Sequence, residues 1–123
     1  MDAPKRILVV DDDDMIRAFL ESALSERGYE VVEAPDGAVA LRLLAAHEPD
    51  LILLDMRMPV MDGWQFAAAY GQRPAPRAPI IVLTAATDAA AFAGQINADA
   101  FLSKPFQLGQ LYACVAKHTG FGT

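Results

Sequence analysis

The sequence contains little that could cross-link the chain or carry it across a membrane. Its single cysteine, Cys114, excludes a disulfide within the chain and fits a reducing compartment. Residues 1–6 lack the apolar stretch of a secretory signal, and no run of about 18 apolar residues follows. These absences predict a cytoplasmic protein without a transmembrane segment.

Basic residues are also scarce. Ten Lys and Arg stand against sixteen Asp and Glu, which gives a formal net charge of −6. This balance disfavours direct binding to nucleic acid or to an anionic membrane, so we expect proteins or small ions as partners. The chain has 123 residues, of which 54% are hydrophobic, and this is enough for one domain with its own core over residues 1–123.

Short apolar runs recur along the chain and indicate a parallel sheet. Four of them do not alternate with polar residues, as expected for strands buried on both faces. These four runs occupy residues 7–10, 51–54, 80–83 and 100–102. A further run at residues 30–34 alternates more strongly and is predicted to be an edge strand.

Between these runs the apolar residues follow a helical spacing. The first helix should carry its stripe over residues 16–24 and stop at Gly28 in the left-handed conformation. The second should carry its stripe over residues 40–47 and close before Pro49. Further helices are predicted over residues 63–70 after an Asp62 cap, over residues 88–96 with a left-handed Asn97 at the end, and from Leu108 towards Gly120. The predicted architecture is (βα)5, of the α/β class.

Polar residues follow the predicted strands at the points where the strands end. Asp11 and Asp12 follow the first apolar run, Asp55 follows the third, Thr84 the fourth and Lys104 the fifth. In a parallel sheet with helices on both faces, ligands bind outside the carboxyl ends of the strands, where the strand order reverses. We therefore expect these five side chains to converge on one pocket.

Asp55 decides between two interpretations of the acidic stretch at residues 11–14. Taken alone, that stretch could be a solvated loop in which Asp13 or Asp14 caps the first helix. With Asp55 nearby, however, each pair of carboxylates at 4 Å would repel by about 4 kcal/mol at an effective dielectric of 20. A cation is needed to offset this repulsion, and the oxygen ligands predict Mg²⁺.

Lys104 and Thr84 each have an ordinary alternative, as a surface lysine and as a β-branched strand residue. Their places after buried strands favour a pocket role instead, because an ammonium offsets clustered negative charge and a hydroxyl can donate to phosphate. A carboxylate nucleophile, a divalent cation, an ammonium and a hydroxyl are what phosphoryl transfer to an aspartate requires. The sequence thus predicts Asp55 as the nucleophile and an acyl phosphate as the product.

The motifs at these positions resemble those of the receiver domain of bacterial two-component response regulators. They are Val-Val-Asp-Asp at residues 9–12, Leu-Asp-Met-Arg-Met-Pro-Val-Met-Asp-Gly at 54–63, Leu-Thr-Ala at 83–85 and Lys-Pro-Phe at 104–106. In this order and spacing they are highly specific, and the similarity runs over residues 6–118. The resemblance implies a flavodoxin-like fold, a doubly wound parallel sheet of strand order 2-1-3-4-5 in three α/β/α layers.

The resemblance also implies how the acceptor and the metal are arranged. Asp55 would accept the phosphoryl group from a phosphohistidine on a sensor histidine kinase or a histidine phosphotransfer protein. Asp12, Asp55 and the backbone carbonyl of Arg57 would hold Mg²⁺, with Asp11 assisting through a bound water. The domain would be a phosphoacceptor switch that assists its own phosphorylation and dephosphorylation, and not a conventional enzyme.

The switch itself is implied in the same way. Thr84 and Lys104 would contact the phosphoryl group, and Phe101 would be the aromatic residue that turns inward when Thr84 moves. The surface of helix four, strand five and helix five would then change its binding to a downstream protein target or effector domain. Arg57 and Ala86 flank the path of a hydrolytic water in the family, so their identities would influence the lifetime of the phosphoryl group.

Two other functions stay open at this point. One is a docking module that has lost phosphorylation, a pseudo-receiver. The other is an aspartate-nucleophile phosphatase, which needs a second aspartate two residues after the nucleophile, where this chain has Arg57. The segment from Thr84 to Lys104 is also about two residues shorter than in many relatives of the family, and the difference falls on helix four.

Overall fold

Strand and helix alternate through the described part of the chain, residues 3–85 and 87–120 of a computed structural model. The strands there are β1 (Arg6–Val10), β2 (Glu30–Ala34), β3 (Leu51–Asp55), β4 (Ile80–Ala85) and β5 (Ala100–Lys104). The helices there are α1 (Asp14–Glu26), α2 (Gly37–Leu43), α3 (Gly63–Gly71), α4 (Ala89–Gln95) and α5 (Leu108–Thr119). The predicted (βα)5 order is confirmed, and none of these helices has both the length and the hydrophobicity needed to span a membrane.

The strands pair in parallel in the order β2-β1-β3-β4-β5, which confirms the flavodoxin-like sheet. β3 is buried at every residue, and β1 and β4 are buried along most of their length. β2 lies at one edge, as its alternating pattern predicts. The expectation that β5 is buried on both faces is wrong, because β5 forms the other edge and its Phe101 side is open to solvent.

Two hydrophobic clusters pack on opposite faces of the sheet. Alternate residues of β1 divide between them, with Leu8 and Val10 in one cluster and Ile7 and Val9 in the other. The first cluster takes its helical residues from α2, α3 and α4, and the second from α1 and α5. This division gives the predicted three layers, in which the sheet lies between two layers of helices. The edge of the sheet formed by the carboxyl ends of its strands lies between the two helical layers.

The helix starts largely follow the predicted capping residues. Asp13 caps α1, because its Oδ1 accepts from the backbone N–H groups of Met15 and Ile16 at 2.9 and 3.2 Å. Asp62 caps α3 together with Gln65 in a reciprocal capping box. Asp88 makes no such bond at the start of α4, which leaves this short helix without a side-chain cap.

The helix ends show one difference from the prediction. Gly28 and Asn97 have φ values of 90° and 55°, so each adopts the left-handed conformation predicted for it, and Gly120 after α5 is also left-handed with a φ of 74°. The second helix was predicted to reach residue 47, but α2 ends at Leu43. Residues 44–47 instead form tighter turns, in which the N–H groups of residues 45 and 46 bond to carbonyl groups three residues earlier.

Candidate functional site

The carboxyl ends of β1, β3 and β5 bring four of the predicted polar residues to one edge of the sheet. Lys104 Nζ lies 2.9 Å from Asp11 Oδ2 and 3.8 Å from Asp55 Oδ1. Carboxylate oxygens of Asp11, Asp12 and Asp55 lie within 4.8 Å of one another. Residues separated by up to 93 positions in the sequence therefore share one site.

The three carboxylates differ in their surroundings. Asp11 is fully buried, and its Oδ1 accepts from the backbone N–H of Asp13 at 2.9 Å while its Oδ2 accepts from Lys104. Asp55 is nearly buried, with 6% of its surface exposed, whereas Asp12 is exposed. The site is thus fixed on its inner side and open to solvent beside Asp12.

The surroundings of Asp55 raise the pKa of its carboxyl from 3.8 to about 7. Burial is the largest cause, followed by the negative charge of Asp11 and, more weakly, that of Asp12. The Lys104 ammonium and a hydrogen bond from the backbone N–H of Arg57 act in the opposite direction and lower the pKa. Without a bound cation, this carboxyl is therefore partly protonated near neutral pH.

This donor set fits a hard divalent cation. All of the clustered ligands are carboxylate oxygens, which Mg²⁺ prefers while it keeps several of its own waters. Once Asp55 has lost its proton, three carboxylates and the ammonium of Lys104 give the site a formal charge of −2. A single divalent cation would balance that charge, and receiver domains bind Mg²⁺ at an acidic pocket of this kind.

Thr84 and Phe101 lie on the neighbouring strands β4 and β5 and differ in their exposure. Thr84 is buried near the end of β4 and pairs in register with Ser103. The next residue of β4, Ala85, pairs with Lys104. Phe101 lies on β5 with 45% of its surface exposed. Ala86, for which the family resemblance implies a place beside a hydrolytic water, lies outside the described residues.

Arg17 organises the acidic loop, a role that was not predicted from the sequence. Its Nη1 donates to the backbone carbonyl of Asp11 at 2.7 Å, and the same guanidinium pairs with Asp14 and lies 3.5 Å from Glu33 Oε1. It therefore connects α1, the loop before it and the end of β2. The available signal was an arginine near a helix N-terminus, a place that the helix dipole makes unfavourable for a cation without specific partners.

The loop between β3 and α3, residues 56–62, is held tightly against the acceptor strand. A Cβ atom added to Gly63 would lie 2.7 Å from Met56 Cα and 2.9 Å from the carbonyl oxygen of Asp55, so only glycine fits there. At the loop tip, Val60 has a φ of 68° and the N–H of Met61 donates to the carbonyl of Pro59 at 2.7 Å. This three-residue turn is a strained conformation for a β-branched residue.

Comparison with known proteins agrees with this geometry. The family model of the response regulator receiver domain matches residues 7–116. The chain belongs to this family. It is therefore the receiver domain of a two-component response regulator, and receiver domains are phosphoacceptor switches and not conventional enzymes.

Individual relatives support the same assignment. The transcriptional regulatory protein PdtaR of Mycobacterium tuberculosis is 39% identical over 115 residues, which cover 91% of this chain and 55% of that protein. The receiver domain thus spans about half the length of curated relatives of this kind.

Solved structures extend the likeness to the whole fold. The chemotaxis response regulator CheY4 of Vibrio cholerae superposes with a TM-score of 0.84 at 32% identity, covering 93% of this chain and 98% of that one. The response regulator TrrA of Thermotoga maritima, solved in complex with Mg²⁺ and BeF, gives 0.81 at 35% identity and covers 92% and 97%.

Proposed function

We propose that this receiver domain, over residues 1–123, accepts a phosphoryl group on Asp55 in a Mg²⁺-dependent reaction. The observation that carries the proposal is the clustering of Asp11, Asp12 and Asp55 within 4.8 Å, with the Lys104 ammonium 3.8 Å from Asp55. A buried carboxylate beside both a cation site and an ammonium is suited to attack phosphorus.

The reaction transfers one phosphoryl group between two nucleophiles. An Oδ atom of Asp55 attacks the phosphorus, and a new O–P bond forms as the N–P bond of a donor phosphohistidine breaks. The bonding electrons leave with the imidazole of the donor, and the product on this chain is an acyl phosphate. Lys104 stabilises the negative charge on the phosphoryl oxygens during the transfer, and Thr84 donates a hydrogen bond to one of them.

Asp12, Asp55 and the backbone carbonyl of Arg57 would hold the metal, with Asp11 acting through a bound water. When bound, Mg²⁺ neutralises charge on the phosphoryl oxygens and keeps Asp55 ionised by offsetting the repulsion of its neighbours. Supporting this assignment are the burial of Asp11 and its two hydrogen bonds, which fix the inner wall of the site.

The same residues would connect phosphorylation to a binding surface. We infer that Thr84 moves towards the new phosphoryl group and that Phe101 turns inward to fill the space this leaves. The surface of α4, β5 and α5 then changes its affinity for a downstream protein or effector domain. The partners proposed on the input side are a sensor histidine kinase or a histidine phosphotransfer protein, and the net charge of −6 disfavours direct contact with nucleic acid or a membrane.

Intact-mass spectrometry tests the proposal directly. The protein is incubated with acetyl phosphate or phosphoramidate and MgCl₂, and we expect a mass gain of one phosphoryl group that EDTA prevents. Asp55→Asn should abolish the gain, whereas the matched control Asp88→Asn, at the uncapped start of α4, should retain it. If no donor phosphorylates the unmodified chain, it is a phosphorylation-independent docking module instead.

A further inference from the structure

The side chain of Arg57 lies against two aromatic rings beside the candidate site. Its Cζ is 5.1 Å from the ring centroid of Phe92 and 5.8 Å from that of Trp64, within the range of a cation–π contact. The two rings meet edge to face with centroids 4.7 Å apart, and Trp64 Nε1 donates to Gln95 Oε1 at 2.7 Å. We call Trp64, Phe92 and Gln95 the aromatic clamp.

The clamp connects parts of the chain that are distant in sequence. Trp64 belongs to the first turn of α3, Phe92 and Gln95 belong to α4, and Arg57 belongs to the loop that follows the acceptor strand. Phe92 is buried in the core cluster on this face of the sheet, so the platform under the guanidinium is anchored. At its other end, the backbone N–H of Arg57 bonds to Asp55. One residue thus contacts both the proposed acceptor and α4.

We propose that Arg57 is a positioning residue that couples the acceptor to α4 through the aromatic clamp. The inference rests on the proposed function, because the coupling responds to a phosphoryl group on Asp55. The coupling through Arg57 would transmit phosphorylation to α4 along the α3 side of the molecule. It is separate from the coupling through Thr84 on β4 and Phe101 on β5.

The direction of the coupling follows from the relative strengths of two contacts. A phosphoryl group on Asp55 adds negative charge and strong acceptor oxygens two residues from Arg57. A charge-assisted hydrogen bond from guanidinium to phosphate is stronger than a cation–π contact at a solvent-exposed arginine. Phosphorylation therefore draws the guanidinium away from the rings, and α4 loses a contact that holds it to α3 and the loop.

Hydrogen exchange tests the clamp in the unphosphorylated protein. Arg57→Met keeps the apolar stem and removes the guanidinium, so amides of α4 should exchange about two- to fivefold faster, the factor that an exposed cation–π contact contributes. Arg73→Met is the matched control, because that arginine lies just beyond the C-terminal end of α3 and pairs with Glu48. Equal α4 exchange in Arg57→Met and the unmodified protein would overturn the proposal.

Fluorescence tests the response to phosphorylation, since Trp64 is the single tryptophan of the chain. Emission is recorded with Mg²⁺ alone and after phosphorylation, with the phosphorylated fraction read by mass in the same sample. We expect the emission to change in the unmodified protein and in Phe101→Ala, and to change by less than half as much in Arg57→Met at an equal phosphorylated fraction. The same change in Arg57→Met and the unmodified protein would overturn the coupling.

The two proposals fail in different ways. If the unmodified protein gains no phosphoryl group, the proposed function is wrong and the phosphorylation-driven coupling falls with it. If it is phosphorylated but the emission of Trp64 does not change, the proposed function stands and the coupling through Arg57 is wrong.

Discussion

The two sides of the candidate site are built in different ways. On the side of β1 and α1, buried Asp11 is held by bonds of 2.7–2.9 Å from Asp13, Lys104 and Arg17. On the other side, α4 has seven residues, lacks a side-chain cap and is tied to α3 by the aromatic clamp. The difference suggests that the first side holds the metal in place while the second can move.

The loop that joins these two sides packs closely against the start of α3. Gly63→Ala should cost about 1–3 kcal/mol of unfolding free energy, because its Cβ would meet the backbone of Asp55 and Met56 at less than 3 Å. Urea denaturation measures this loss. Gly71→Ala, at the other end of the same helix, is the matched control, since nothing lies within 4 Å of its new Cβ. An equal effect at both glycines would contradict a fixed acceptor loop.

A substitution of Arg17 tests the side of β1 and α1, which we call the rigid side. Arg17→Met should cost about 1.5–3 kcal/mol, because a hydrogen bond from a charged and largely buried group is lost. Removing a positive charge would by itself strengthen Mg²⁺ binding, so a weaker Mg²⁺ affinity in this variant identifies a positioning effect. Isothermal titration gives that affinity.

The control for Arg17→Met is Asp14→Asn, which removes only the exposed ion pair between Asp14 and Arg17. It should change the free energy of unfolding by less than about 1 kcal/mol. If Arg17→Met binds Mg²⁺ as tightly as the unmodified chain or more tightly, Arg17 is only a structural residue.

The raised pKa of Asp55 predicts how the stability of the metal-free protein depends on pH. The folded carboxyl binds a proton up to about pH 7, whereas the unfolded one releases it near 3.8. The folded state therefore carries more protons in this range, and the contribution of Asp55 to stability falls as the pH rises through it. Asp55→Asn removes that dependence.

The expected result is that Asp55→Asn becomes increasingly more stable than the unmodified protein from about pH 4 to about pH 8, as measured by urea denaturation in EDTA. Mg²⁺ should reduce the difference at the higher pH, because it binds the folded carboxylates of the unmodified chain. A difference that does not vary with pH would mean that burial does not raise the pKa of Asp55.

The rigid side was also the more predictable of the two from sequence. Asp11, Asp55 and Lys104 each follow a short apolar run, and parallel strands bring such positions to one edge of a sheet, so local patterns suffice. The contact between Arg57 and Phe92 has no such signal, because it depends on the relative placement of a loop and a helix. The early end of α2 was missed for a similar reason, since turns and helix share the same apolar spacing there.

A substitution in α4, with a smaller expected effect on stability, tests the other side of the site. Gly94→Ala should stabilise the protein by about 0.4–1 kcal/mol, because alanine reduces the entropy of the unfolded chain and nothing lies within 4 Å of its new Cβ. Thermal denaturation measures the gain, and amide exchange locates it. Gly71→Ala should give a similar gain without slowing exchange in α4. If Gly94→Ala leaves exchange in α4 unchanged, the intrinsic stability of the helix does not limit the opening of α4.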